Sequence, residues 1–332
     1  MQLHFKMEMP PTPYNNSPYE EILKSVGLRK EHLVYPIFVD ERETSIPDRN
    51  SMSGIMKISR RKIKRYIQAI INLGIQSIIV YGIPVRRDRN GSVAAYKDGL
   101  VQGAIRDIKK EFGDLLTIIS DVCVCQYNLS GHCGLVIDDS EVDNDSTLKV
   151  LAAIALSHAE AGTDVVAPSA MMDGQVISIR NALNIEGFHK VKILSYSVKT
   201  SSSLYSPFRS VTFCKGIYNN IKIDKSSYQI AYANSNQILR EIESDILEGA
   251  DMVMIKPGIA NLDLVTKIKE KLSFPLAVQN VSGEYAMVKA AAMHGWINEE
   301  GWKVASIAAL RRAGADKIIS YFGLDIMQYI GD

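Results

Sequence analysis

Short apolar runs rich in β-branched residues recur along the chain, beginning at Leu33, Ser77, Leu115, Val165, Lys192, Asp251, Pro275 and Lys317. LVYPIFV, SIIVYGI and DMVMIKP are examples, and their lack of polar alternation fits strands buried on both faces. Between them lie stretches with apolar residues three and four apart, such as RRKIKRYIQAIINLG, TLKVLAAIALSHAEAG, NQILREIESDILEGA and EGWKVASIAALRRAGA. Most close on a glycine before the next strand begins, as helices commonly do. Strand and helix therefore alternate, which predicts a parallel sheet covered by helices. Eight is the count at which such a sheet closes, so the pattern predicts an α/β fold, a (β/α)8 TIM barrel over residues 33–332. No glycine-rich fingerprint follows the first strand, which argues against an open dinucleotide-binding sheet. Residues 1–32 belong to no βα unit and read as an N-terminal arm, an oligomer contact. Residues 201–227, rich in Ser, Tyr, Asn and Lys, are long for a βα loop and read as a lid over the barrel mouth.

Composition narrows the class without deciding the chemistry. With 332 residues and 46% hydrophobic positions, the chain has material for one large core. Its 38 basic and 37 acidic residues nearly cancel, so no overall field favours nucleic acid or an anionic membrane. The opening MQLHFKMEMPPTPYNNSPYEE is too polar and proline-rich for a secretion signal, and no apolar run reaches a membrane-spanning length. A cytoplasmic protein with a small-molecule partner is expected. In that reducing setting four cysteines read as metal-binding or reactive rather than as disulfides.

Barrel enzymes build their sites at the carboxyl ends of the strands, so unusual residues there matter most. Asp121, Cys123 and Cys125 close the third strand in SDVCVCQYNLSGHCG, where alternate residues share a face, and Cys133 can return from the loop to meet them. Three thiolates suit zinc and leave one tetrahedral position open, the arrangement of a catalytic rather than a structural site. Buried thiols without metal are the plain alternative, and His132 is either a fourth ligand or a loop histidine bonded to its neighbours. The fifth strand ends SYSVKTSSS, which puts Ser195, Ser197 and Lys199 on one face; the sixth ends MVMIKPG with Lys256. Neighbouring strands lie about 4.8 Å apart, so lysines at equal heights stand side by side. Each disfavours the other's charge, which frees an amine to attack a carbonyl and form a Schiff base. A solvated lysine is the ordinary reading of either one alone. Ser282 and Tyr321 add hydroxyls at the same rim.

The stretches SDVCVCQYNLSGHCG, VVAPSAMMDGQV, ILSYSVKTSSSLYSPFR, GADMVMIKP, VSGEYAMVKAAA and RAGADKIISYF resemble, in order and position, the porphobilinogen synthase (5-aminolevulinate dehydratase) family, from about Leu33 to Gly323. The resemblance implies a zinc-dependent lyase, a hydro-lyase that condenses two molecules of 5-aminolevulinate into porphobilinogen in tetrapyrrole (heme) biosynthesis. It implies that Lys256 and Lys199 form the two Schiff bases, Lys256 with the substrate that becomes the acetyl side and Lys199 with the propionyl side. It further implies Cys123, Cys125 and Cys133 as zinc ligands and Asp121 as the carboxylate that handles protons. Arg209, Lys225 and Gln229 correspond to the grip on one substrate carboxylate, and Ser282 and Tyr321 to the grip on the other. Glu241 stands where the family carries an allosteric magnesium ligand, so magnesium is a second candidate cofactor, although a glutamate on a surface helix is also ordinary. A homo-oligomer, octamer or hexamer, is implied as well.

Some positions depart from the family pattern. Asn261 and Gln279 stand where it has tyrosines, Gln126 where it has glutamate, Ala231 where it has Asn or Asp, and the arm lacks an arginine-rich stretch. These changes leave the rate and the oligomer open. They also keep two rivals: a drifted paralogue with a binding or structural role, and a Schiff-base aldolase on the same barrel, which needs one lysine and no thiolate metal.

Overall fold

All eight apolar runs form strands: β1 (Leu33–Asp40), β2 (Ser77–Ile83), β3 (Thr117–Val122), β4 (Val165–Pro168), β5 (Lys192–Lys199), β6 (Met252–Lys256), β7 (Leu276–Gln279) and β8 (Lys317–Ile319). Each pairs in parallel with its neighbours in chain order, and β8 returns to β1 through Leu33 with Ile318 and Val34 with Ile319. The sheet is a closed (β/α)8 TIM barrel. The computed structural model describes residues 17–42, 46–47, 52–137, 141–214, 217–218, 221–222, 225–231 and 235–331. Residues 1–16 of the expected arm, and 215–216, 219–220 and 223–224 of the expected lid, lie outside it.

The described helices are α1 (Pro18–Ser25), α2 (Ile63–Asn72), α3 (Leu100–Phe112), α4 (Asn144–Glu160), α5 (Gln175–Ile185), α6 (Ser206–Val211), α7 (Ser235–Leu247), α8 (Leu262–Lys271), α9 (Ser282–Met293), α10 (Glu299–Arg312) and α11 (Gly323–Met327). β1 and β2 are buried at every position, as unbroken apolar runs require. Helix α2 buries Ile63, Ile67 and Ile70, spaced four and three apart on one face, and each such burial contributes about 1.5–3 kcal/mol. A short strand, Met56–Ser59, extends the end of β1 in parallel and pairs antiparallel with Ile46–Pro47; the apolar pattern does not predict either. Helix α1 packs on α10, with Leu23 buried and the Tyr19 ring edge-on to Tyr329. No helix among the described residues is long and apolar enough to cross a membrane.

The amino ends of the strands carry a repeated clamp. Asp164, just before β4, accepts from Ile118 N at 2.7 Å and from Lys109 Nζ at 2.8 Å. Asp251, before β6, accepts from Ile193 N at 2.8 Å and from Arg180 at 2.5 Å. Asp316, before β8, accepts from Leu276 N at 2.9 Å and from Lys269 Nζ at 2.6 Å. Each aspartate thus ties its own strand to the start of the preceding strand and to the helix that leads into it. Gly162, Gly249 and Gly314, two residues ahead of each aspartate, have φ of 100°, 101° and 115° and turn the chain out of its helix.

Candidate active site

A cleft with about 540 Å³ of empty space, its opening to solvent included, lies at the carboxyl ends of the strands. Asp121, Cys125, Cys133, Lys199, Lys256, Arg209, Lys225, Gln229, Ser282 and Tyr321 all line it. Cys123 joins them through its thiol, since the sulfurs of Cys123, Cys125 and Cys133 lie within 4.8 Å of one another. Glu241 is elsewhere. It lines a separate cavity between α5 and α7, with Ala231 and Asp245, and accepts from Gln237 Nε2 at 3.2 Å.

The thiols meet for a reason other than strand alternation. β3 ends at Val122, and the chain turns at once, with Tyr127 N and Asn128 N both donating to Val124 O at 2.9 Å. Cys123 and Cys125 therefore sit in a turn, not on a strand face, and Cys125 N donates to Cys123 Sγ at 3.5 Å. Asn128 Oδ1 takes Gly131 N and its Nδ2 donates to His132 O, which folds the following loop so that Cys133 returns. His132 stands apart from the thiol cluster, its Nδ1 3.1 Å from Tyr228 OH. Two ammonium groups face Cys133: Lys225 Nζ at 3.9 Å and Lys199 Nζ at 4.0 Å from its sulfur. The Cys133 thiol is held below its ordinary value, first by the hydrogen bond from Cys123 and then by these two lysines, against burial. Three close, buried thiols with cations beside them fit a thiolate-bound metal ion.

The two lysines are brought together by an irregularity. Val253 of β6 pairs with Ser195 but Ile255 pairs with Val198, so β5 carries one extra residue over this span. A bulge of one residue reverses which face each later side chain takes. Ser195 consequently faces α7, where its Oγ donates to Asp245 Oδ2 at 2.7 Å, and Ser197 lines the outer cavity. Lys199, beyond the bulge, turns into the barrel mouth opposite its paired residue Lys256. The expectation that Ser195, Ser197 and Lys199 share a face is therefore wrong. Tyr196 points inward instead, its hydroxyl 3.1 Å from Tyr81 OH and its ring 4.5 Å from Lys256 Nζ.

The lysines differ in their surroundings. Lys199 Nζ donates to Ser169 O at 2.6 Å, whereas Lys256 Nζ donates to Gln279 Oε1 at 3.3 Å and lies over the faces of Tyr196 and Tyr205. Burial, with the charge of Lys199 second, pushes Lys256 down to about 7. Asp121 is buried in the same cavity, its Oδ2 accepting from Gln126 Nε2 at 3.0 Å, and burial raises it above the ordinary carboxylate range. Gln126 Oε1 in turn accepts from the Cys125 thiol at 3.4 Å.

The described part of residues 201–227 forms one wall. Ser282, the first residue of α9, donates through Oγ to Leu204 O at 3.1 Å and accepts from Phe208 N at 3.0 Å. Gly283 allows this approach, because a Cβ there would meet the Leu204 backbone at 2.5 Å. Arg209 lies over the Tyr205 ring at 5.6 Å, while Lys225 is buried. Among the described residues, the Tyr321 hydroxyl and Gln229 Oε1 are buried without a hydrogen-bond partner, so a polar ligand in the cavity has groups to satisfy. Sequence reading missed Tyr196, Tyr205, Ser169 and Cys214 as cavity neighbours. The bulge hid the first, and an isolated cysteine far along the chain carries no spacing signal.

The model of the family described as delta-aminolevulinic acid dehydratase matches residues 12–329. A delta-aminolevulinic acid dehydratase of Halalkalibacterium halodurans is 39% identical over 311 residues, 94% of this chain and 93% of its own length. One from Staphylococcus aureus is 41% identical over 311 residues, covering 93% of this chain and 94% of its own. Among solved structures, the Toxoplasma gondii ME49 delta-aminolevulinic acid dehydratase (porphobilinogen synthase), in complex with the reaction product porphobilinogen, superposes with a TM-score of 0.88 at 34% identity. That match covers 96% of this chain and 92% of the Toxoplasma one.

Proposed function

Because the chain belongs to the delta-aminolevulinic acid dehydratase family, we infer that it condenses two molecules of 5-aminolevulinate into porphobilinogen, with loss of two waters, as a lyase. The observation that carries this reading is the pairing of Lys199 and Lys256 across the β5 bulge inside the cavity that also holds the three-thiol cluster. A single-lysine aldolase needs neither feature.

In this reading Lys256 is the primary nucleophile. Held down to about 7, it offers a free amine at neutral pH that attacks the ketone of one substrate and, on loss of water, forms a Schiff base. Lys199 does the same for the second substrate, which its pairing with Lys256 brings next to the first. Asp121, raised by burial and lining the same cavity as both amines, takes and returns protons at its carboxylate as the waters leave. Arg209 and Lys225 with Gln229 hold one substrate carboxylate, Arg209 through its fork and Lys225 as a point charge. Ser282 and Tyr321 hold the other; Tyr321 has its hydroxyl ready, and Ser282 has to exchange its bond to Leu204 O. Gln279 lines the cavity and touches Lys256, and Asn261, buried behind Lys256, donates to Pro257 O at 2.8 Å; both stand where the family pattern has tyrosines.

The metal of this reading is zinc, held by Cys123, Cys125 and Cys133, whose soft, clustered donors suit it and leave a position open. When bound, it supplies Lewis-acid polarisation of a substrate oxygen or amine. Magnesium at Glu241, a cytoplasmic setting in tetrapyrrole (heme) synthesis, and a homo-oligomer contacted through residues 1–32, octamer or hexamer, complete the proposal. The test is porphobilinogen formation from 5-aminolevulinate after chelation, with zinc or magnesium returned separately. Recovery with zinc alone supports the reading; product formation untouched by chelation contradicts its metal, and no product under any condition contradicts its activity.

A further inference from the structure

Three of the strand-end loops that build the site meet on a carboxylate that none of the steps above uses. Glu284 lies in the first turn of α9, two residues after Ser282, and is buried. Among the described residues its oxygens take four hydrogen bonds. Oε1 accepts from Ile259 N at 2.8 Å and Ala260 N at 3.4 Å, the opening amides of the short turn Ile259–Asn261 that follows Lys256, Pro257 and Gly258. Oε2 accepts from Val281 N, next to Ser282, at 2.8 Å and from Asn280 Nδ2 at 3.0 Å. A glutamate at this position of a helix commonly accepts from the residue that precedes the helix, here Val281, and that habit accounts for one of the four. The other three are bonds a helix cap does not need.

The network continues into the third loop. Asn280, held by Glu284 through Nδ2, accepts through Oδ1 from Ser320 Oγ at 3.1 Å, and Ser320 Oγ accepts in turn from Phe322 N at 3.1 Å. Tyr321 stands between Ser320 and Phe322, so the turn that presents it is closed by the hydroxyl that Asn280 holds. Tyr285, the residue after Glu284, lays its ring 5.7 Å from that of Tyr321. On the other side Asn261 Nδ2 reaches Thr200 Oγ1, next to Lys199, at 3.3 Å. A charged acceptor shared between loops fixes them firmly, because each bond is charge-assisted and a buried N–H left without an acceptor is costly.

5-Aminolevulinate carries its ketone and its carboxylate two methylenes apart. A site that attacks the ketone with Lys256 and grips the carboxylate with Ser282 and Tyr321 has to hold amine and hydroxyls at one spacing. The loops after β6, β7 and β8 set that spacing, and Glu284 is where they join. We propose that Glu284 is a positioning residue for this reaction, whose carboxylate holds the Lys256 amine at a fixed distance from the Ser282 and Tyr321 hydroxyls and thereby selects keto acids with two methylenes between ketone and carboxylate. The inference rests on the synthase reading above, with Lys256 and the Ser282–Tyr321 pair serving the same substrate molecule.

The test reads chain-length discrimination rather than turnover. The full-length protein is incubated with graded 4-oxopentanoate, the substrate without its amino group, or with 5-oxohexanoate, one methylene longer, and reduced with borohydride. The Lys256 amine adds to the ketone, water leaves, hydride reduces the iminium carbon, and the adduct on the Lys256 peptide is counted by mass. One surplus methylene in a fitted site is worth about 10- to 200-fold, so wild type should reach half-labelling at a concentration of 4-oxopentanoate at least about tenfold lower. Glu284→Gln keeps the shape but sets an amide NH2 against the N–H donors of one loop, and its ratio should fall below about threefold. Ser320→Ala, a milder cut in the same network, should lower the ratio by a smaller factor, and it keeps the test decisive should Glu284→Gln fail to fold. Asp316→Ala removes an acceptor at the opposite end of the barrel and should keep the wild-type ratio. A ratio unchanged in whichever of Glu284→Gln and Ser320→Ala folds, or lost equally in Asp316→Ala, would mean that Glu284 serves stability alone and would overturn the proposal. Wild type that labels Lys256 without preference, or not at all, would remove the synthase reading of these residues as well, so the two failures are told apart.

Discussion

The two ends of the barrel treat their charges in opposite ways. At the amino ends Asp164, Asp251 and Asp316 each meet a backbone N–H and a basic side chain, and every partner comes from the protein itself. At the carboxyl ends two lysines share one height, and the Tyr321 hydroxyl and Gln229 Oε1 are buried without partners among the described residues. Lys256 is driven down to about 7 rather than neutralised by a carboxylate at bonding distance. The difference teaches where energy is stored and where it is spent. The satisfied end holds the strands in register, and that rigidity lets the other end keep polar groups whose missing partners a substrate supplies.

Replacing Lys256 tests the contrast most severely. Lys256→Met should abolish porphobilinogen formation, since Lys199 is committed to Ser169 O and cannot take over both roles. The same change should raise thermal stability. Lys256 lies near 7 in the folded chain against about 10.4 unfolded, so the cost of burying its charge is full below about pH 7 and fades as the pH rises toward 10.4. The gain in Tm of Lys256→Met over wild type should therefore be larger at about pH 6 than at about pH 9. In the wild type kcat/KM should fall as the pH falls through about 7, because the free amine is lost.

Cys125→Ala should release the metal and lower activity at least about a hundredfold while leaving circular dichroism and the unfolding transition nearly unchanged, because the cluster lies in a turn beyond β3. Unchanged metal content would mean the ligand set is wrong. Arg209→Ala should raise KM about 10- to 100-fold, the worth of a charge-assisted bond, with little change in metal content. Lys225→Ala should act differently, weakening metal retention as well as binding, since its ammonium faces Cys133 at 3.9 Å. Identical kinetic and metal phenotypes for the two would remove the distinction. At the other end, Asp316→Ala should cost about 1–3 kcal/mol of stability by leaving Leu276 N without its acceptor and Lys269 with Phe274 O but no carboxylate, and should leave kcat within about twofold. A change in kcat larger than the change in stability would break the division between the two ends.

Much of this was legible in the sequence because it depends on local pattern. Buried parallel strands are unbroken apolar runs, and all eight identified runs became strands of the barrel. Asp121, the three clustered cysteines, Lys199, Lys256, Ser282 and Tyr321 stood out because such residue types are unusual at strand ends, whereas Arg209, Lys225 and Gln229 were reached only through the family resemblance. What escaped depends on events that a period-two pattern cannot register. The extra residue in β5 turns Ser195 and Ser197 toward α7 and Tyr196 and Lys199 inward, and nothing in SYSVKT marks the bulge. The turn after Val122, rather than alternation, brings Cys123 and Cys125 together. Cys214 was invisible because only the fold brings it to the cavity that Cys125 and Cys133 line. The Gly-x-Asp clamp recurs in the chain as GTD at Gly162, GAD at Gly249 and GAD at Gly314, a signal that was present and became meaningful only with the pairing in hand.

The central claim is that Lys256 and Lys199 both bond covalently to substrate, and borohydride trapping reads it most directly. The protein is incubated with 5-aminolevulinate, reduced with borohydride, digested, and mapped by mass. The account predicts a stable adduct on the peptide carrying Lys256, a second on that carrying Lys199, and loss of the first adduct in Lys256→Met. Adducts on other lysines, or none on either of these while porphobilinogen is still formed, would contradict it.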